Sequence, residues 1–294
     1  MSPLPPALAA WRDSGRVVSV LGHDVFVVER GHEHVDTIVI LHGFPTSGFD
    51  FAGVIDRLAE RHRVIVHDHL GFGLSDKPER WSYSLIEQAE VALLVWRELG
   101  VTQAHVIAHD YGTSVATELV ARRDRQLLPF ELRSLTLGNG SVHLDLARLS
   151  WPQKVMRSPT LGPLFARVAS ERLFMNSLRK TFARRDALDD QALHEHWAAL
   201  SHADGRLALP RISRYLDERV RFADRWIGAL TRFDRPAHVL WGKRDPIAVT
   251  AIAERLAEEI PGARLTWLDH VGHYPMLEDP GAWVEAALAF LAGL

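Results

Sequence analysis

The sequence predicts an α/β fold, a mostly parallel sheet covered by helices on both faces. Short and almost wholly apolar runs recur along the chain: TIVILHG (37–43), RVIVHD (63–68), AHVIAHD (104–110), LRSLTLGNG (132–140), AHVLWG (237–242) and ARLTWLD (263–269). Continuous rather than alternating hydrophobicity is what a strand buried on both faces requires. The intervening segments carry apolar residues at three- and four-residue spacing, as amphipathic helices do. One long interval breaks the alternation, so the fold carries an insertion.

Taken in order, the N-terminus holds Pro3, Pro5 and Pro6 and reads as a loose tail. RVVSVLGHDVFVVERG (16–31) reads as a hairpin, two β-branched runs around a Gly-His-Asp turn. Helices are expected over 82–100, 113–123, 248–262 and 279–294, each between two of the apolar runs or after the last. Residues 141–235 are rich in Arg, Leu, Ala and His and contain no convincing strand, so they are expected to form a helical cap inserted into a core of 1–140 and 236–294.

Composition narrows the function classes. The 294 residues are 47% hydrophobic and 24% charged, with a net charge of -3 and a pI near 6.6. This balance makes no electrostatic case for nucleic acid or for an acidic membrane surface. No cysteine is present, which removes disulfides, thiolate metal sites and cysteine nucleophiles. No apolar run approaches the roughly 18 residues of a membrane span, and the N-terminus lacks a secretory pattern, so a cytoplasmic protein is expected. The expected partners are a small apolar substrate and water, without nucleic acid and without a cofactor; a homodimer is left open.

The stretch HVIAHDYGTS (105–114) carries the chemistry. An apolar strand, then small–His–X–aromatic–small, then a helix is the pattern of a sharp strand-to-helix turn that thrusts one side chain into a cleft. Its apex is Asp110, not serine. A second register would use Ser114, but Ser114 falls inside the following helix. The bland alternative makes Asp110 a helix cap.

Two further residues argue against capping alone. DHVGHYP (269–275) presents His273 in a loop after the last strand, and WGKRDP (241–246) presents Asp245 at the end of the one before. The chain order Asp110, Asp245, His273 is that of nucleophile, acid and histidine. Gly138-Asn139-Gly140, the other position from which an acid could come, offers no carboxylate. LHGFPTS (41–47) supplies an oxyanion turn in which the N–H of Phe44 pairs with that of Tyr111. HDHLGFGLSDKP (67–78) reads as an architectural turn. His67 and His69 are alternate strand residues that should face opposite ways, and His194 and His196 are two apart on a helix, so no metal site is expected.

HGFP, GFGLSDKP, HDYG and GHYPMLEDP, in this order, make the chain resemble the α/β-hydrolases of the epoxide hydrolase and haloalkane dehalogenase branch, whose nucleophile is aspartate. HGFPTS, RWIGAL and HYPMLEDP extend the resemblance to the mesoderm-specific transcript group. The branch implies a covalent alkyl ester on Asp110, hydrolysed by water that His273 and Asp245 activate. Serine would leave an ether that water cannot readily cleave; a carboxylate leaves an ester.

An epoxide giving a vicinal diol is the expected substrate. Tyr215, ahead of Trp226, resembles a cap tyrosine that protonates the epoxide oxygen, while Phe174 stands where a second tyrosine would be. Dehalogenases commonly carry Trp after the nucleophile and Asn after His-Gly; here Tyr111 and Phe44 stand there. A dehalogenase would need indole donors from Trp151, Trp197 or Trp226. His42, Trp151 and Phe174 are the candidate pocket residues. An ester or lactone hydrolase and a non-catalytic ligand-binding protein of the same fold are the remaining alternatives.

Overall fold

A computed structural model of the chain describes residues 3–294. All six apolar runs are strands, and the hairpin forms as expected: β1 (Arg16–Val20), β2 (His23–Arg30), β3 (Thr37–Leu41), β4 (Arg63–His67), β5 (Gln103–His109), β6 (Glu131–Gly138), β7 (Ala237–Gly242) and β8 (Arg264–Leu268). They build one sheet in the order β1-β2-β4-β3-β5-β6-β7-β8. The β1–β2 and β2–β4 pairings are antiparallel and the other five parallel. β3 and β7 are buried at every position, which is why their sequences do not alternate.

Sheet order explains where a site can form. From β3 the chain crosses to β4 on one side, then returns to place β5 on the other. The connections leaving the carboxyl ends of β3 and β5 therefore run apart and leave a crevice between them. That crevice brings the loop after Leu41 beside the turn at Asp110.

The core helices are α1 (Pro6–Asp13), α2 (Ile55–Ala59), α3 (Leu85–Glu98) and α4 (Tyr111–Asp124) before the insertion. The first of these corrects an expectation. The N-terminal segment is a helix: Pro6 occupies its opening turn, where a missing N–H costs nothing. Leu8 and Trp11, three apart on one face, are buried.

Between β6 and β7 the described residues contain no strand. They form α5 (Trp151–Met156), α6 (Leu161–Val168), α7 (Glu171–Arg179), α8 (Asp190–Ser201), α9 (Leu209–Ile212), α10 (Tyr215–Arg221) and α11 (Ala223–Leu230). After β7 come α12 (Thr250–Glu259), α13 (Pro275–Glu278) and α14 (Pro280–Leu291).

Candidate active site

Asp110 sits between β5 and α4 with φ 44° and ψ -106°. A side chain at positive φ is strained, and such strain persists where the surroundings over-determine it. The turn is held by two contacts: Gly112 N–H donates to His42 O over 3.0 Å, and Thr113 N–H to Asp110 O over 3.1 Å. A Cβ on Gly112 would come within 2.2 Å of Leu41 O, so only glycine lets α4 start this close to the end of β3.

The capping alternative is not what the geometry shows. The Asp110 side chain accepts nothing from the first turn of α4. Its Oδ2 accepts instead from Phe44 N–H at 2.9 Å. Tyr111 opens α4, where an amide has no acceptor one turn back. Of the two amides named from the sequence, that of Phe44 meets the Asp110 carboxylate, and that of Tyr111 is the first of the helix following it.

His273 Nδ1 lies 2.6 Å from Asp245 Oδ2, and its Nε2 lies 4.0 Å from Asp110 Oδ2. All three side chains are buried. Asp245 Oδ1 accepts from the N–H groups of Ile247 (2.7 Å) and Ala248 (2.9 Å). Burial pushes His273 down, but the charge and hydrogen bond of Asp245, then the charges of Asp110 and Glu278, outweigh it and hold the imidazole at about 9. Asp245 fixes Nδ1 as a donor, which turns Nε2 toward Asp110.

The loop carrying His273 is tied on several sides by groups the sequence reading passed over. His109 Nε2 donates to His273 O at 2.7 Å, and burial holds His109 neutral at about 4. His273 N–H donates to Thr181 O in the insertion at 3.0 Å. Glu278 Oε1 accepts from Gly272 N–H and Oε2 from Ala183 N–H, each at 2.8 Å. Asn139, which offers no acid, holds the acid: its Nδ2 donates to Asp245 Oδ2 at 2.7 Å and its Oδ1 accepts from Gly242 N–H at 2.9 Å.

Arg219 was also missed. It reaches from α10 with Nε 2.6 Å from Ser114 Oγ and Nη2 3.2 Å from Asp110 O. The side chain is buried, lies 4.6 Å over the Tyr215 ring, and has no salt bridge among the described residues. Ser114, the rival nucleophile, thus faces the insertion's guanidinium from within α4.

A cavity of about 570 Å³ opens between the insertion and the core loops. Phe44, Pro45, Ile247, His273 and Tyr274 form its floor, and Trp151, Phe165, Phe174, Trp197 and Leu209 are among its walls. Of the three candidate pocket residues, Trp151 and Phe174 line it. His42 does not: it is fully buried, with Nδ1 on Gly43 O and Nε2 accepting from His69 N–H at 3.0 Å. Two consecutive loops use it as an internal brace.

Tyr215 is buried beside the turn, its ring 5.0 Å from that of Tyr111 and 5.7 Å from that of Phe44, and its hydroxyl, beside the Gln153 side chain, makes no well-formed hydrogen bond among the described residues. Trp226 cannot supply an indole donor to the cavity, because its Nε1 donates to Glu118 Oε2 at 2.9 Å. The rings of His67 and His69 stand 5.1 Å apart rather than on opposite faces, since β4 ends at His67 and the chain turns there. The turn that follows is braced by Asp68, which accepts from Gly48 N–H and Leu74 N–H at 2.7 Å each.

A family model described as alpha/beta hydrolase fold matches residues 36–280. LipZ of Mycobacterium tuberculosis is 42% identical over 97% of this chain and 98% of its own. The mesoderm-specific transcript homolog protein of Homo sapiens is 33% identical over 98% of this chain and 89% of its own. Among solved structures, the haloalkane dehalogenase DbeA from Bradyrhizobium elkani shares the fold with a TM-score of 0.80 at 22% identity, covering 95% of this chain and 98% of that one. The motif order, the sheet and the near full-length matches agree: this chain belongs to the α/β-hydrolase family.

Proposed function

We propose that this hydrolase acts on a small apolar electrophile through a covalent ester on Asp110, and that the electrophile is an epoxide opened to a vicinal diol. The observation that carries the reading is the direction of the Asp110 carboxylate, away from its own helix and onto Phe44 N–H. Residues 141–235 serve as a lid whose apolar inner face shapes the pocket. The reading keeps the cytoplasmic placement expected from the sequence.

In the first step an Asp110 oxygen attacks an epoxide carbon, the carbon–oxygen bond of the ring breaks, and the departing oxygen takes the proton of the Tyr215 hydroxyl. That hydroxyl is buried near Asp110 and, beside the Gln153 side chain, makes no well-formed hydrogen bond among the described residues, which supports the role. The phenolate recovers its proton from solvent. In the second step His273 Nε2 removes a proton from water as the water oxygen attacks the ester carbonyl carbon. The resulting oxyanion is held by the N–H groups of Phe44 and Tyr111; each such donor is worth roughly a hundred- to thousandfold in rate. Collapse expels the diol oxygen, which leaves with the proton held by His273, and the Asp110 carboxylic acid so formed gives its proton to solvent, balancing the one the phenolate took up.

A haloalkane is the second reading, favoured by the indoles of Trp151 and Trp197 in the cavity wall. Mass spectrometry of His273→Gln after incubation with terminal epoxides, aromatic epoxides and haloalkanes tests both. The expected result is an adduct on the peptide containing Asp110, a hydroxyalkyl ester from an epoxide or a plain alkyl ester from a haloalkane. Full turnover by the variant, or a folded variant with no adduct from any compound, would sink the mechanism.

A further inference from the structure

The outer surface of the insertion carries an apolar patch that neither the core nor the site accounts for. Leu161, Leu164 and Val168 lie on one face of α6 at three- and four-residue spacing, 56%, 58% and 68% exposed. Trp151, 62% exposed, lies beside them with its ring edge-on to Phe165 at 5.4 Å. The opposite face of α6 is anchored by buried Gly162 and Ala166. Soluble monomers seldom leave a contiguous patch of this kind uncovered, and those that do use it for an interaction.

Charge says which interaction. Residues 146–170 contain Arg148, Lys154, Arg157 and Arg167 and no acidic residue, a local charge of +4 in a chain of net -3. Arg157 is paired with Asp217. Lys154 and Arg167 have no salt bridge among the described residues, and Arg206, on the cavity wall, donates only to the carbonyls of Ala166 and Arg167. Exposed Trp and Leu among unpaired Lys and Arg is the composition of a surface that seats in the headgroup region of an anionic membrane. A second copy of the chain fits poorly, because a two-fold interface would set the same basic residues against themselves.

We infer that α5 and α6 dock the protein on an anionic lipid surface, with the cavity opening onto that surface. Trp151 and Phe165 belong both to the patch region and to the cavity wall, so an apolar molecule dissolved in the lipid meets the pocket without crossing water. The net charge conceals this because acidic residues elsewhere outweigh a local basic collar. The inference does not depend on the chemistry at Asp110, and its test needs no turnover.

The test is co-sedimentation of the full chain with vesicles of phosphatidylcholine alone or mixed in equal parts with phosphatidylglycerol. The wild type should partition at least about tenfold more strongly onto the mixed vesicles, and molar salt should remove the difference. Leu164→Asp with Val168→Asp should abolish binding. Lys154→Glu with Arg167→Glu should weaken it by roughly 25-fold or more, since each basic residue near such a surface is worth a factor of about 5. None of these four residues lines the cavity, so melting temperature and turnover of a water-soluble substrate should be unchanged. Equal partitioning onto both vesicles, no partitioning, or folded variants that bind like the wild type would each overturn the inference. A solution dimer dissociated by Leu164→Asp would overturn it in favour of a second copy.

Discussion

Nη2 of Arg219 donates to the main-chain carbonyl of Asp110 over 3.2 Å while Nε of the same guanidinium holds Ser114 Oγ at 2.6 Å. One side chain from α10 thus grips the strained residue at the apex of the turn between β5 and α4. Burying a cation without a carboxylate costs stability, so its contribution should be to geometry and not to folding. Arg219→Met should lower kcat by about ten- to hundredfold, the worth of a charge-assisted hydrogen bond. KM should change little and the melting temperature should hold or rise. A lower melting temperature with kcat intact would make Arg219 only a staple between insertion and core.

Tyr215 makes a narrower prediction. Burial, then the charge of Asp110, pushes its phenol up, so the oxygen keeps its proton; on the proposed reading that proton goes to the departing alkoxide. Tyr215→Phe removes that proton and almost no volume. Ester formation from an epoxide should slow by roughly a hundredfold, while hydrolysis of an ester already formed should keep its rate. Rapid-quench measurement of the two steps separates them; equal slowing of both would point to disturbed packing against Phe44 and Tyr111.

The His273 imidazole carries the proton at neutral pH because Asp245 and Asp110 both favour the cation over the effect of burial, at about 9. Esterification removes the Asp110 charge, and with it one of the influences that keep His273 protonated. The free base therefore becomes available at lower pH in the ester than in the free protein. Single-turnover hydrolysis should rise with pH and level off below about 9. A rate independent of pH across the neutral range would remove His273 as the base.

Asn139 holds a positive φ of 43°, a conformation Asn tolerates better than most residues. Its amide is satisfied by Asp245 Oδ2 and Gly242 N–H, so it orients the acid as the acid orients His273. Asn139→Asp would set a second carboxylate where an N–H donor now lies 2.7 Å from Asp245. The expected result is a loss of ester hydrolysis by at least about tenfold with adduct formation retained. Asn139→Ala should do the same more mildly, and accumulation of ester in either variant is the readout.

These residues mark where sequence reasoning stopped. The strands were legible because burial on both faces writes itself as unbroken hydrophobicity, and the meeting of Asp110, Asp245 and His273 at one sheet edge because each follows such a run. Arg219 was not legible. In YLDERVR it looks like one more charge on an exposed helix, and only its reach to Ser114 and to the Asp110 carbonyl at the start of α4 shows it buried. Asn139 looked like turn punctuation. The proline-rich N-terminus suggested a loose tail, though proline in a helix's opening turn is favourable and Leu8 and Trp11 needed the rest of the fold to pack against. His42 sits in a motif that borders the pocket, but its ring turns inward to brace His69.

Buried histidines give the protein a predictable acid limit. Burial holds His42 at about 3, His67, His109, His196 and His238 at about 4, and His69 well below its ordinary value. A histidine depressed in the folded state binds protons sooner when unfolded, so its contribution is full above about 6.5 and is lost as pH falls toward 4. Asp68, raised by burial to about 6, and Asp50, raised by burial well above the usual range, act in the opposite sense. Glu218 and Glu278, also raised by burial, act in the same sense as these two; each unit of separation is worth ~1.4 kcal/mol, and the depressed histidines, with His105 and His202 among them, outnumber the four raised carboxyls. His273, raised to about 9, stabilises below about 6.5 and loses that contribution as pH rises toward 9. The melting temperature should therefore peak near neutrality and fall on both sides, more steeply on the acid side. Neither ring nitrogen of His67 has a partner among the described residues, so His67→Leu should flatten the acid limb without sacrificing a hydrogen bond. An unchanged acid limb in that variant would mean that water reaches the imidazole and that its burial does not set the pH response.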